Sequence, residues 1–251
     1  MKAAILTDTT KCIGCGACGS ACKQENHLLP DIPRSWDRDD GLSARNWTSI
    51  VEGPGHALVR KQCRHCIEPA CVSVCPVGAL SKTSEGPVIY DKHRCMGCRY
   101  CMMACPYGIP RYEWDEAVPY IRKCIFCYQT RLAHGRQPAC TAVCPVKATI
   151  FGDRDDLLAE AHRRISDNRG KYVDHVWGER EAGGASVLLI SNVDLSFLTE
   201  GRYLGGQPLP ETTATAMDTV PFAFTGVLAA MAGLSWIIDR RMARQRDKSD
   251  E

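Results

Sequence analysis

The chain has 251 residues, of which 16 are cysteine, 45% are hydrophobic and only 7% are aromatic, so a large aromatic core is not what holds it together. With 31 Lys and Arg against 29 Asp and Glu, the net charge of +2 excludes a global electrostatic pull toward nucleic acid, and no nucleic-acid partner is expected. Every cysteine lies between Cys12 and Cys144, which divides the sequence into a cysteine-rich head and a cysteine-free tail.

In chain order the cysteines form four quartets, an internal repeat. The first is Cys12-x2-Cys15-x2-Cys18-x3-Cys22. Within it, Gly14-Cys15-Gly16-Ala17-Cys18-Gly19 spells the G-x-G-x-x-G dinucleotide fingerprint, but two of the variable positions are cysteine and no βαβ unit surrounds them. The glycines better suit a backbone that aims its amides at a bound cluster. Ala57–Arg60 reads as a short strand, followed by the second quartet, Cys63-x2-Cys66-x4-Cys71-x3-Cys75. His65, inside it, reads as a packing or hydrogen-bonding neighbour. Pro87–Tyr90 is a second strand segment before the third quartet, Cys95-x2-Cys98-x2-Cys101-x3-Cys105. The fourth is Cys124-x2-Cys127-x12-Cys140-x3-Cys144. Pro76, Pro106 and Pro145 follow the last cysteine of three quartets, and Lys23 stands in that place in the first.

C-x2-C-x2-C-x3-C-P is the bacterial ferredoxin run for a [4Fe-4S] cluster. Three thiolates of a tight loop hold three corners of one cube, while the fourth, at the start of the next helix, reaches a second cube. Quartets therefore work in pairs, and four intact quartets make four [4Fe-4S] clusters with sixteen iron ligands and none left over. Eight disulfides would crowd thiols that cannot all meet disulfide geometry. Zinc is the stronger competitor, because the fourth quartet taken alone has the spacing of a four-cysteine zinc site.

Beyond Asp153 the pattern changes. Leu157, Leu158, Ala161 and Ile165 fall at helical spacing, with Asp153 as N-cap, Asp155 and Asp156 in the first turn, Arg163 and Arg164 near the end and Gly170 just past it. This is an amphipathic surface helix whose Arg pair reads as a solvated face. Ser186–Ser191 reads as a buried strand after a Gly183–Gly184 turn, and Gly201, Gly205, Gly206, Pro208 and Pro210 mark a linker. Thr219 to Ile238 then runs without a charge, about the length that a helix needs to cross roughly 30 Å of hydrocarbon. Gly226 and Gly233 suit close helix packing, and Trp236 suits an interfacial anchor. Arg240, Arg241, Arg244, Arg246 and Lys248 follow the span, whereas Arg202 is the nearest basic residue before it, so the tail is expected to be cytoplasmic and the head on the outer side.

The order of the quartets, with x4 in the second and x12 in the fourth, resembles the electron-transfer subunit of complex iron-sulfur molybdoenzymes and related membrane hydrogenases. The segments Leu42–Thr48, Tyr172–Val176 and Gly178–Gly184 are most similar to the beta subunit of membrane-bound formate dehydrogenase, with the hydrogenase-2 type of iron-sulfur subunit close behind. The resemblance implies an α+β fold: two ferredoxin-like dicluster modules with a C-terminal single transmembrane helix. Residues 1–50 with 116–175 would carry quartets one and four, and 51–115 would be an inserted module carrying quartets two and three. Residues 176–217 would be extension and linker, 218–239 the membrane helix and 240–251 a basic tail.

It further implies that Cys12, Cys15 and Cys18 with Cys144 hold one cluster and Cys124, Cys127 and Cys140 with Cys22 the next. Cys63, Cys66 and Cys71 with Cys105 would hold the third, and Cys95, Cys98 and Cys101 with Cys75 the fourth. The implied partners are a Mo/W formate dehydrogenase catalytic subunit, or in its place a [NiFe] hydrogenase or another molybdoenzyme reductase, and a cytochrome b or other quinone-reactive subunit, all at a lipid membrane. The chain itself would be non-catalytic, since its sequence supplies no complete acid–base pair, nucleophile or substrate pocket. Met1 to Thr10 shows no twin-arginine signal and no apolar stretch, so a periplasmic head is expected to be exported together with a partner that carries the signal.

Overall fold

The apolar run Ala3–Asp8 forms a strand, β1, in which all six residues are buried. In the computed structural model, which describes residues 1–30, 38–199 and 204–249, it is followed by α1 (Ala17–Glu25), β2 (Thr48–Glu52), β3 (Leu58–Gln62) and α2 (Ala70–Ser73). Next come β4 (Leu80–Lys82), β5 (Val88–Tyr90), α3 (Tyr100–Ala104), β6 (Arg111–Tyr112), β7 (Ile121–Arg122) and α4 (Ala139–Ala142). The head closes with β8 (Thr149–Asp153), α5 (Arg154–Asp167) and β9 (Val187–Ile190), and the tail is the single helix α6 (Glu211–Ser249). The chain divides into two units, Met1–Leu209 and Pro210–Glu251.

The strands expected at Ala57–Arg60, Pro87–Tyr90 and Ser186–Ser191 are β3, β5 and β9, displaced at their ends by one or two residues. Strand β1 is the middle of a three-stranded sheet, antiparallel to β8 (Ile5 opposite Phe151) and parallel to β9 (Leu6 opposite Leu188). Because side chains alternate along a strand, the sheet has two different faces. Ala4, Leu6, Leu188 and Ile190 point to α5 and bury Leu157, Ala161 and Ile165 in an ordinary apolar core. Ala3, Ile5 and Val187 point the other way, toward Phe126, Cys140 and Cys18. The second face is the floor on which the cysteine loops rest.

Helix α5 starts as expected, the Asp153 carboxylate accepting from the Asp155 and Lys2 backbone N–H groups at 3.1 and 2.8 Å. Its Arg pair is not one solvated face. Arg163 is exposed and paired with Glu160 and Asp167, but Arg164 turns inward to within 3.3 Å of Asp8, a fully buried carboxylate that also accepts from Tyr172 Oη at 3.0 Å. A buried carboxylate needs such a cation, and the i, i+4 pattern cannot reveal one that comes from far away in sequence.

The edge between residues 50 and 51 falls inside β2, in a hairpin where Thr48 lies opposite Gln62. The edge at 115/116 falls between β6 and β7, which also pair, and β9 of the 176–217 segment is a core strand.

The tail helix begins at Glu211, ahead of the expected 218, and continues through the basic segment to Ser249. Its apolar stretch, Glu211–Met242, is long enough to cross a membrane, and none of its described side chains is buried. Pro221 lies within it, and Thr225 Oγ1 donates back one turn to the Pro221 carbonyl at 2.9 Å. The Arg240 guanidinium lies 5.1 Å from the Trp236 ring, a cation–π contact suited to an interfacial anchor. Gly201 and Arg202 lie outside the described residues, as do the side chains of Arg244, Arg246 and Lys248.

Candidate cluster-binding sites

The four quartets share one backbone turn. The residue before the second cysteine is left-handed in each: Gly14 (φ +69°), His65 (+49°), Gly97 (+73°) and Phe126 (+65°). That turn brings amides round to sulfur, and the Gly97 and Phe126 N–H groups lie 3.4 Å from the Cys95 and Cys124 Sγ atoms. Only two of the four positions are glycine, so the shared geometry is half hidden from the sequence. His65 and Phe126 adopt a conformation that costs of order 1–3 kcal/mol elsewhere, and tight burial holds them in it.

A second left-handed residue follows the Cys-Pro pairs: Gly78, Gly108 and Lys147 each donate an N–H to the carbonyl of the quartet's last cysteine, at 3.3, 3.2 and 3.2 Å. The first quartet departs because Cys22 lies inside α1, which runs on to Glu25, and a proline after it would break the helix. Asn26 Nδ2 donates instead to the Cys22 carbonyl at 2.8 Å.

The folded chain draws the thiols into four groups. Cys12, Cys15, Cys18 and Cys144 line one cavity, and Cys22, Cys124, Cys127 and Cys140 line another. Cys63, Cys66 and Cys105 pack together, with Cys71 acting on both Cys63 and Cys105. Cys101 packs with Cys75 and Cys95 and is acted on by Cys98. In each group one thiol comes from a different quartet, one with four and two with three. The groups also touch in sequence: Cys18 packs near Cys140, Cys124 near Cys63, and Cys71 near Cys101. They form a row.

The chemistry of these cradles fits [4Fe-4S] clusters. All sixteen cysteines are thiols, none in a disulfide. Burial pushes the Cys22, Cys71 and Cys101 thiols each up to about 12, with neighbouring cysteines adding to the rise, so thiolates here need cations among them. A tetrahedral zinc ion at about 2.3 Å from sulfur holds its ligands about 3.8 Å apart. Among the described residues no three His, Cys, Asp or Glu converge in the manner of a single bound ion. A cube of four irons and four sulfides holds its thiolates farther apart.

Charge agrees. Arg60, Lys61, Arg64, Arg111 and Lys123 are buried among the described residues, against Asp8 as the one buried carboxylate. A cluster ligated by four thiolates is an anion that would balance them. The buried side-chain polar atoms without a hydrogen-bond partner point the same way. They are Thr48 Oγ1, the three guanidinium nitrogens of Arg60, Gln62 Nε2, His65 Nε2 and Tyr90 Oη. His65 packs and hydrogen-bonds as expected: its Nδ1 accepts the Val88 N–H at 2.9 Å, and its ring meets Phe126 edge-on at 4.8 Å. The spacing argument did not reach Thr48, Arg60 and Gln62, whose only sequence signal is their place on strands beside a quartet.

One ion network braces the second and third quartets. Asp40 lies 2.8 Å from Lys61 Nζ and 2.5 Å from Arg111 Nη2, while Arg111 Nε donates to the Leu42 carbonyl at 3.1 Å. Burial pushes the Asp40 carboxyl up, but the hydrogen bonds from Lys61 and Arg111 outweigh it and hold the group below the usual carboxylate range. Its contribution is therefore complete above the unfolded value of about 3.9 and is lost as pH falls through the lower folded one. Asp40→Asn is expected to destabilise the head by about 3–5 kcal/mol at pH 7, because two buried cations lose their carboxylate. Denaturant unfolding followed by cluster absorbance checks this, and an unchanged midpoint would refute it.

The 4Fe-4S dicluster domain family matches residues 56–154 and also residues 11–80. A protein of Nitratidesulfovibrio vulgaris is 43% identical over 228 residues, covering 86% of this chain and 61% of that protein. The chain thus spans less than two thirds of that relative. The hydrogenase-2 operon protein HybA of Escherichia coli O157:H7 is 39% identical over 228 residues, 75% of this chain and 70% of the relative. The nitrate-inducible formate dehydrogenase iron-sulfur subunit of Escherichia coli K12 is 32% identical over 249 residues, 93% of this chain and 83% of the relative. Both domain matches read along the sequence, whereas the fold joins quartet one to four and two to three, and together with sixteen cysteines they imply four [4Fe-4S] clusters. The chain belongs to the 4Fe-4S dicluster family of iron-sulfur electron-transfer subunits.

Proposed function

We propose that this chain relays electrons one at a time through four [4Fe-4S] clusters, from a formate-oxidising Mo/W catalytic subunit to a quinone-reactive cytochrome b-type membrane subunit. The observation that carries the reading is the row of four thiol groups. In the proposed ligand sets Cys12, Cys15, Cys18 and Cys144 hold the first cluster, and Cys22, Cys124, Cys127 and Cys140 the second. Cys63, Cys66, Cys71 and Cys105 hold the third, and Cys75, Cys95, Cys98 and Cys101 the fourth. The modules are 1–50 with 116–175 and 51–115, sharing the β2–β3 hairpin.

When bound, each cluster supplies a one-electron couple. The protein's part is to fix and insulate. Ile5, Phe126, Leu42 and Val88, all buried among the cysteine groups, keep water out, and the buried cations offset negative charge. Exposed apolar side chains stand at both ends of the row, Ile13 in quartet one and Met96, Tyr100 and Met103 in quartet three, which supports docking of a partner at each.

The formate reading is supported by the match that runs through 93% of the chain. The higher identity to the hydrogenase-2 protein favours a second reading, the same relay beside a [NiFe] subunit. Metal analysis of the complex purified in mild detergent separates them: molybdenum or tungsten beside iron supports the first, and nickel with neither assigns the second.

Helix α6 is the proposed membrane anchor in the inner membrane, with the cluster head periplasmic and the basic end cytoplasmic. A green fluorescent protein fused after Glu251 is expected to fluoresce in whole cells. A dark, correctly sized fusion would reverse the orientation.

A further inference from the structure

Two of the four cradles share a wall. In the β2–β3 hairpin Thr48 lies opposite Gln62 and Ile50 opposite Arg60, two residues apart on each strand, so all four project from one face. Ile50 and Arg60 line the cavity of Cys12, Cys15, Cys18 and Cys144, while Thr48 and Gln62 line that of Cys22, Cys124, Cys127 and Cys140. Arg60 is only 3% exposed, and Nε, Nη1 and Nη2 have no hydrogen-bond partner. Gln62 Nε2 and Thr48 Oγ1 are equally unanswered. The thiols whose charge acts on Arg60 belong to both cradles: Cys140 and Cys124 of one, Cys18 of the other. A buried fixed cation without a carboxylate and two buried groups without partners, all on one hairpin face, are more than packing requires.

We propose that this face sets the reduction potentials of the first two clusters, Arg60 raising both through its charge and Gln62 and Thr48 raising the second alone through hydrogen bonds to its sulfur. The inference rests on the ligand sets proposed above. One electron adds one negative charge to a site, so a nearby cation or donor favours the reduced form. The electron enters from the substrate that the catalytic partner oxidises and leaves to the next carrier in the row. Arg60 exchanges neither proton nor electron, and being always charged it acts alike at every working pH.

The test is a redox titration of the intact complex followed by electron paramagnetic resonance, with iron and sulfide content measured in parallel. Cysteine-to-serine variants first assign each signal to its quartets, and a wrong assignment of ligands shows at that stage, apart from anything Arg60 does. Arg60→Met is then expected to weaken reduction of both flanking clusters at least tenfold, which is 59 mV for a one-electron couple, and to leave the other two in place. Gln62→Leu is expected to lower the second alone, and Arg60→Lys to stay near the unsubstituted value. Unchanged potentials in Arg60→Met with full iron content, or an equal shift in all four clusters, would overturn the proposal. If Arg60→Met loses iron, Arg60→Gln and Arg60→Lys decide: iron kept only by Lys supports the charge, and iron lost in both assigns Arg60 a merely structural role.

Discussion

Replacing Cys22 by serine is expected to alter the second cluster's spectrum, although Cys22 belongs to the first quartet in sequence. The Cys22 thiol lines the cavity of Cys124, Cys127 and Cys140, and the charges that act on it most are those of Cys140 and Cys127. Cys18→Ser, four positions away in the same helix, is expected to alter the first cluster instead, because Cys18 lines the cavity with Cys12, Cys15 and Cys144. Either change interrupts the row near its start. Electron flow to quinone is expected to fall by more than the roughly 10–100-fold that loss of an outer-shell partner costs. Resonance spectra of the two variants, side by side, are the check. If both disturb the same cluster, the exchange of fourth ligands between quartets one and four is wrong. Normal quinone reduction with the first cluster absent would sink the relay itself.

Which thiols meet is a question of topology, and here the sequence is silent in a particular way. Cys18 and Cys140 stand far apart along the chain. They come together because β1 pairs with β8, and α1 and α4 are carried to the same side of that sheet. Local spacing encodes each loop, since C-x2-C and Cys-Pro fix turns of a few residues. It does not encode the long-range strand pairing, and the pairing of quartets came only with the family resemblance. Helix α5 was readable for the opposite reason: its cap, its apolar stripe and its end all lie within one short stretch.

The segments that carried the resemblance have structural reasons. Tyr172 donates to buried Asp8, and Glu181 accepts the Gly178 N–H at 2.7 Å. Gly178 has φ +93°, and a Cβ there would stand 2.6 Å from the Val187 carbonyl oxygen of β9. Tyr172 and Gly178 stand on the β9 side of the sheet, whereas Gly184 accepts the Ile67 N–H at 2.9 Å inside the second quartet and Thr48 lines the second cradle. They serve the sheet and the cluster cradles, which the formate and hydrogen readings share, and so left both open. The donors at Thr48, Arg60 and Gln62 were missed because a strand pattern shows which side chains share a face, not what that face meets.

The tail carries the other large effect. Leu228 and Ala229 lie at the middle of the uncharged stretch Thr219–Ile238, and all of that stretch is exposed. Changing both to arginine is expected to cost about 5–7 kcal/mol of insertion, since each arginine at the centre of a span costs roughly 2.5–3.5. At 1.4 kcal/mol per tenfold, that shifts the partition by more than about a thousandfold. Docking to a membrane subunit could still hold the head at the bilayer, so simple fractionation is not decisive. Extraction with alkaline carbonate is, because it strips docked subunits and leaves inserted helices. The unsubstituted chain is expected to resist extraction, and the double variant to be released with its iron content unchanged, because Met1–Leu209 forms a unit with its own core. Leu228→Ala is expected to behave like the unsubstituted chain. An unsubstituted chain that carbonate releases would mean that α6 is held by protein rather than by lipid. The apolar stretch would then be an interface, and the orientation argued from its basic end would lose its footing.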